Sequence, residues 1–250
     1  MTNKYKYFVA NWKMFGNVKT IKSLNSVIKL SKFTRFKKAK IIYCPPYTLI
    51  DNFVNKLKKT KIDVGAQNCH YAIDNGPFTG SISAKMIKNI GCKYVIIGHS
   101  ENRVNGDTNI IINKKIKISI ANKLKILFCI GENLSEKKMK MTKKILARQI
   151  KMGLKKIKNI NNIIFAYEPV WSIGTGIIPN KFELKNNISF IKKILRNNFK
   201  SKNPKVLYGG SVNPKNIKNL IQIDEINGFL IGGASQSSNK FIDIIKKSYN

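Results

Sequence analysis

The chain has 250 residues, enough for one large hydrophobic core or two modest ones, and 43% of them are hydrophobic. Its 47 Lys and Arg against 12 Asp and Glu give a formal net charge of +35, which draws anions toward most of the surface. The lysines are spread between apolar positions along the whole length, with no basic tail, Arg-rich run or aromatic–basic interleave, so no specific nucleic-acid site is expected.

No apolar run nears the ~20 residues of a membrane span, and "MTNKYKYFVANWKM" lacks the pattern of a cleaved signal, so neither membrane nor export is expected. The four cysteines (Cys44, Cys69, Cys92, Cys129) contain no CxxC pair and have only two histidines beside them. Neither a metal site nor a disulfide framework is expected, and a reducing cytoplasm fits best.

Eight short apolar, β-branched runs recur. "KYFVAN" (6–11) is followed by Ile21, Leu24, Val27 and Ile28 at helical spacing, with lysines between. "AKIIYCPP" (39–46) and "KIDVGAQN" (61–68) come next. A long connection, "NCHYAIDNGPFTGSIS" (68–83), carries apolar Tyr71, Ile73 and Phe78 and predicts a helix start at Thr79–Ser81. "KYVIIGHS" (93–100) and "KILFCIGE" (125–132) follow, the latter leading into an apolar stripe of Met139, Met141, Ile145, Ile150 and Leu154. "NIIFAYEPV" (162–170), "PKVLYGGS" (204–211) and "INGFLIGGAS" (226–235) complete the set. Between the last two, "NPKNIKNLIQI" keeps Ile217, Leu220 and Ile221 on one face.

Eight strand–helix units without a long linker or a spare element predict a single-domain α/β protein over residues 1–250, a closed (β/α)₈ barrel. Strands covered by helices read as continuous apolar runs, as these do. Asn11, Lys13, Gln67, Asn68, His99, Glu132, Glu168 and the glycine pairs at 209–210 and 232–233 all follow strand segments. They are therefore expected to converge on the C-terminal face, where this fold places its chemistry.

Glu168 stands where an apolar strand ends, before Pro169 and ahead of Gly174 and Gly176. A carboxylate beside a segment able to close loses water when a ligand binds, which strengthens it as a base. His99 precedes a helix start whose N–H groups can meet its ring, and Lys13 brings a cation to the same face. The glycine pairs after the seventh and eighth strands suit one small phosphoryl group held by backbone N–H. They match neither GxGxxG nor GxxxxGK[ST], so no dinucleotide or nucleotide cofactor is indicated.

"NWKM", "GAQN", "IIGHSENR", "CIGE", "AYEPVWSIGTG", "YGGSVN" and "FLIGGAS", in this order, closely resemble the triosephosphate isomerase family, and span residues 11–235. The resemblance implies interconversion of dihydroxyacetone phosphate and D-glyceraldehyde 3-phosphate, a step of glycolysis and gluconeogenesis, without cofactor. It implies Glu168 as the base, His99 as a neutral electrophile, and Lys13, Asn11 and Glu101 as further members of the catalytic group. Gly174, Ser211, Gly232 and Gly233 take the place of phosphate-binding N–H donors. Pro169, Val170, Trp171, Ser172, Ile173, Gly174, Thr175 and Gly176 take that of a lid, within a segment reaching residue 179. The 68–83 loop is implied to enter a second subunit of a homodimer, its Thr79 touching the Asn11 there.

The chain departs from the family pattern at Asn102 and Ser81, where an arginine and a glutamate that pair between subunits are common, so neither charge is orphaned. Asn227 replaces an aspartate, Ser172 an alanine, and "IIP" closes the lid. Two rivals stay open at this stage. Another phosphate-binding barrel enzyme would need a Schiff-base lysine within a strand or a larger aromatic pocket. A nucleic-acid-binding barrel would rest on charge alone.

Overall fold

The structure is a computed structural model, described here for residues 5–249. Eight parallel strands close into a barrel in chain order: β1 (Lys6–Asn11), β2 (Ala39–Cys44), β3 (Asp63–Ala66), β4 (Tyr94–Ile97), β5 (Lys125–Ile130), β6 (Ile163–Tyr167), β7 (Val206–Tyr208) and β8 (Gly228–Ile231). Closure is made by β1 against β8, with Tyr7 opposite Gly228 and Ala10 opposite Ile231. Around it run α1 (Leu24–Ser31), α2 (Ile50–Leu57), α3 (Ala84–Asn89), α4 (Ser100–Val104), α5 (Asn109–Ala121), α6 (Leu134–Lys138), α7 (Thr142–Gly153), α8 (Lys181–Phe199), α9 (Ile217–Leu220) and α10 (Ser238–Lys247).

Strand pleating sorts the apolar residues into two layers. Val9, Ile42, Tyr94, Ile96, Leu127, Cys129, Ile164, Ala166, Leu207 and Leu230 fill the lumen. Their strand neighbours Phe8, Ala10, Val95, Ile97, Phe128, Ile130, Phe165, Tyr167, Tyr208 and Phe229 face the helices. Continuing the lumen series by two residues reaches Asn11, Gly98, Gly131, Glu168, Gly209 and Gly232. The period of two that makes the core thus aims a ring of polar or small residues over its mouth.

Three expectations need correction. The unit count holds, but not the absence of spare elements, because α4 and α6 are short extra helices ahead of α5 and α7. The stripe after β5 is broken: α6 ends at Lys138, Lys140 turns left-handed (φ 58°), and Met139 is 58% exposed rather than packed. The helix after the 68–83 loop starts four residues later than Thr79–Ser81 suggested. Ser83 caps α3, its hydroxyl accepting from the Met86 N–H at 3.1 Å.

Asn227 has a clear structural use. Its side-chain oxygen accepts the Val206 N–H at 3.0 Å, while its own N–H donates to the Val206 carbonyl, fastening β7 to the entry of β8.

Among the described residues, the non-glycine positions with positive φ are Lys13, Lys123, Lys140, Lys156 and Lys200. Lys200 is the C-cap of α8 at φ 52°, ψ 28°, a conformation that glycine adopts without the Cβ clash of an L-residue. Its side chain is exposed, so truncating it removes no core packing. Lys200→Gly is expected to stabilise the fold by about 0.5–1 kcal/mol, raising Tm by roughly 1–4 °C. A thermal melt with an unchanged or lower Tm would contradict this account of the cap.

Candidate active site

The mouth of the lumen opens into a cavity of about 550 Å³, lined by Asn11, Lys13, His99 and Glu168 together with the loops at 173–176, 209–215 and 232–234. Glu168 is 3% exposed. It follows the lumen-facing Ala166, and its N–H donates to the Ile130 carbonyl at 2.8 Å. Its seat depends on missing side chains. A Cβ at residue 131 would lie 1.7 Å from the Glu168 carbonyl oxygen, and one at residue 209 would lie 2.7 Å from its Cγ.

Burial raises the Glu168 pKa above the ordinary carboxylate value. His99, the Cys129 thiol, Lys13 and the Ser100 N–H pull the other way without cancelling the shift.

His99 reaches the same spot by a different route. Ile97 faces the helices, and Gly98 then turns at φ 75°, re-aiming the next residue toward the lumen. The His99 Nε2 lies 3.4 Å from Glu168 Oε1. Its Nδ1 accepts the Glu101 N–H at 3.3 Å, as the N-cap of α4. A nitrogen accepting that bond carries no proton, so the neutral ring holds its hydrogen on Nε2, facing Glu168. Glu101 Oε2, at 3.7 Å from the same Nδ1, is too far to compete as a hydrogen-bond partner.

Lys13 stands in the left-handed region at φ 55°. Its carbonyl accepts from the Gln67 side-chain amide at 2.9 Å and its N–H donates to Asn11 Oδ1 at 3.1 Å, which hold this strained turn. Its ammonium pairs with Glu101 at 2.5 Å, and its Cε passes 3.4 Å from where a Cβ on Gly232 would be. The cation therefore lies beside the β8 glycine pair. Gly233 opens a short 3₁₀ turn, and a Cβ there would meet nothing within 4 Å, so its backbone faces open space.

The 169–176 segment lies across the cavity. Gly174 and Gly176 both have φ near the left-handed region, at 74° and 79°. The Gly176 N–H donates to Ser211 Oγ at 3.1 Å, and Ser211 Oγ donates to the Ser172 carbonyl at 2.8 Å. Its base is held by Glu132. That carboxylate receives the Trp171 indole N–H at 2.9 Å and the Tyr167 hydroxyl at 3.2 Å, while Lys137 sits 3.4 Å above the Trp171 ring.

Glu132 thus corrects the expectation that it joins the polar ring over the lumen. It follows the helix-facing Ile130, so its side chain points behind the barrel. Burial raises its pKa, against the Trp171 hydrogen bond. The pleat parity of "CIGE" was the signal that separates it from the lumen series.

A second cleft of about 330 Å³ adjoins the first, sharing Asn11, Lys13 and His99 and continuing past Gln67, His70, Ser81 and Asn102. Thr79 lies in the exposed part of the 68–83 loop. The lysines on strands, Lys6, Lys40 and Lys125, all sit in the first or second position of β1, β2 and β5. They are at the opposite end from the cavity, which removes the geometry a strand-borne Schiff base requires. Among the described residues no three His, Cys, Asp or Glu side chains gather as a metal site, and no helix is long and apolar enough to cross a membrane.

A family model described as triosephosphate isomerase matches residues 6–248. The chain belongs to the triosephosphate isomerase family. It is 37% identical over 248 residues to the triosephosphate isomerase of Lawsonia intracellularis, covering 96% of this chain and 97% of the relative. It is 39% identical to that of Thermodesulfovibrio yellowstonii, covering 96% and 98%. The crystal structure of triosephosphate isomerase from Bartonella henselae superposes with a TM-score of 0.88 at 34% identity, covering 97% of this chain and 98% of that one. Membership makes the chain an enzyme of the isomerase class, on the family's barrel.

If burial sets the proton affinity of Glu168, its carboxyl titrates above the ~4.3 of a free glutamate. A ¹³C-glutamate NMR titration of the unliganded enzyme, assigned by the Glu168→Gln variant, is expected to show this. A Glu168 midpoint at or below 4.3 would mean that His99, Cys129, Lys13 and Ser100 outweigh desolvation.

Proposed function

We propose that the chain interconverts dihydroxyacetone phosphate and D-glyceraldehyde 3-phosphate by acid/base chemistry through an enediolate, with no metal or organic cofactor. The observation that carries this is the pairing of a buried carboxylate of raised pKa with an imidazole Nε2 at 3.4 Å, in a cavity lined by the glycine pairs 209–210 and 232–233.

In this reading Glu168 removes the pro-R proton from C1 of dihydroxyacetone phosphate and returns it at C2. His99, whose Nδ1 accepts the Glu101 N–H, acts as the neutral electrophile that donates and recovers a proton at the two oxygens. Lys13 offsets charge on the phosphoryl group and the enediolate, Asn11 and Glu101 position Lys13, and Gly174, Ser211, Gly232 and Gly233 present backbone N–H to the phosphate. Residues 169–179 act as the lid that excludes water and suppresses loss of phosphate from the intermediate, a gating role for which this family is the reference example.

Glu168→Asp is expected to bind the substrate while turning over ~10²-fold more slowly or worse, because the carboxylate retreats by about 1 Å. The parent is expected to keep full activity in EDTA. A coupled assay from dihydroxyacetone phosphate decides both: near-parental kcat in the variant rejects the base, and zinc-restored activity rejects the cofactor-free mechanism.

We further infer that the working form is a C₂ homodimer in the cytoplasm. The second cleft beside Asn11 and Lys13 has room for a loop and is lined in part by Tyr47, and Met14, Phe15, Ile73 and Phe78 are exposed apolar side chains close in sequence to other residues of its lining. A partner's 68–83 loop entering there would bring its Thr79 to this chain's Asn11. All four cysteines are unpaired and buried, in keeping with a reducing compartment. The net charge of +35 opposes association, and Asn102 and Ser81 supply no ion pair across the interface. The dimer is therefore expected to weaken at low ionic strength, where repulsion is poorly screened. Sedimentation across a salt series tests this. A fully active 28.4 kDa monomer at high salt and micromolar protein would remove both the dimer and the role of Thr79.

A further inference from the structure

Ser172 sits in the short 3₁₀ turn Val170–Ser172 that begins the lid, and it is fully buried. Its hydroxyl donates to the Ile177 carbonyl at 2.6 Å, at the far end of the same segment. The Tyr208 hydroxyl, on the last residue of β7, lies 3.0 Å from Ser172 Oγ. A serine hydroxyl has one hydrogen, and the shorter contact takes it, so the Tyr208 O–H donates into Ser172. The result is a directed chain, Tyr208 to Ser172 to Ile177, in which each bond polarises the next.

The surroundings fit this chain closely. A Cβ at residue 210 would lie 2.2 Å from the Tyr208 hydroxyl and 2.7 Å from Ser172 Oγ, so the hydroxyl pair exists only because Gly210 is bare. The Ser172 carbonyl accepts from Ser211 Oγ at 2.8 Å and from Thr175 Oγ1 at 3.2 Å. One residue thereby ties both ends of the lid to β7 and to the loop after it.

We propose that the Ser172 hydroxyl is the bolt of this lid: a positioning residue that holds the fastened arrangement and slows its release. The proposal rests on the isomerase reading above, and it assigns to one side chain the control of lid opening in that enzyme. Lifting the lid separates Ser172 from Tyr208, leaving a phenol in a buried site without its described partner, whereas the Ile177 carbonyl is on an exposed residue and regains water. Removing Oγ eliminates that difference between the fastened and lifted states, because Tyr208 then lacks the bond in both. Ser172 touches no reacting atom in this scheme. It acts through the position of the segment that covers Glu168.

Trp171 adjoins the bolt, bonded to Glu132 and lying under Lys137, so its indole emission reports the lid, while Trp12 is buried in the core as a constant background. Temperature-jump relaxation of this emission is followed with and without inorganic phosphate as probe, alongside the phosphate Kd. Ser172→Ala is expected to speed opening by about 5-fold or more and to weaken phosphate binding by a similar factor. Tyr208→Phe alone does the same, and the double variant changes neither quantity beyond either single one, because both substitutions break one chain. Rates and Kd within twofold of the parent, single effects that multiply in the double variant, or a parent without a lid phase would each overturn the proposal. None of these readouts requires turnover. A parent that fails to isomerise triose phosphates therefore rejects the functional reading separately, through the coupled assay.

Discussion

Everything at the mouth of this barrel depends on one close packing: Glu168 lies where two strands would collide with it if they carried side chains. The bare backbones of Gly131 and Gly209 admit its carbonyl and its side-chain stem, and the approach is so close that even alanine at 131 has no room. A carboxylate seated this way loses its water, and that loss raises its affinity for a proton. The same seat brings it to the Nε2 of His99, whose direction is set by the turn at Gly98 and whose tautomer is set by the first turn of α4. The placement of Glu168 and His99 is thus a consequence of where the chain lacks a Cβ as much as of which polar residues it has.

The pleat explains how much of this was legible from residues alone. The eight apolar runs and their order gave the barrel, because continuous β-branched segments alternating with helical periodicity have few other closed solutions. Asn11, Lys13, His99 and Glu168 were placed at one face by their position after those runs. Position after a strand does not by itself set the side: Glu132 also follows a strand, yet falls on the helix-facing register and fixes Trp171 from behind. The break at Lys140 was hidden for another reason. Periodicity reads through a turn when a lysine, rather than glycine or asparagine, occupies the left-handed position. The bolt at Ser172 was visible only as a departure from the family pattern, since its partners Tyr208 and Ile177 are brought to it by the fold.

Lysine excess shapes the rest of the molecule without defining a site. Acids are scarce, and three of the buried or half-buried ones anchor a structural join: Asp63 receives Lys40 and Lys93, Asp107 receives Lys115, and Glu183 receives Lys137. Burial alone would push the Asp63 pKa up, but hydrogen bonds from Lys40 and Lys93 carry it below the ordinary value. Its contribution to stability is therefore present above its unfolded pKa near 3.9 and fades as pH falls through the depressed folded value. With so few carboxylates, each pairing is a fixed point in a surface that otherwise repels itself.

Glu168 works in the opposite sense, and the contrast separates structure from chemistry in this fold. Its folded pKa is raised, so the folded state holds the proton more readily than the unfolded chain does. The stability linked to it is intact below the unfolded value near 4.3 and declines as pH rises through the raised folded value. Above that raised value the barrel carries an ionised, dehydrated carboxylate at a net disadvantage, offset only in part by His99, Cys129, Lys13 and the Ser100 N–H. Replacing those offsets with stronger ones, such as a direct arginine pair, would stabilise the fold and weaken the base by the same free energy. In the proposed mechanism a lid over the carboxylate resolves this conflict in time rather than in space: lifting the segment returns water to the charge, and lowering it over a bound anion excludes that water. On that reading the hydrogen bonds that fasten residues 172–177 to β7 and its loop govern how long the carboxylate stays dehydrated.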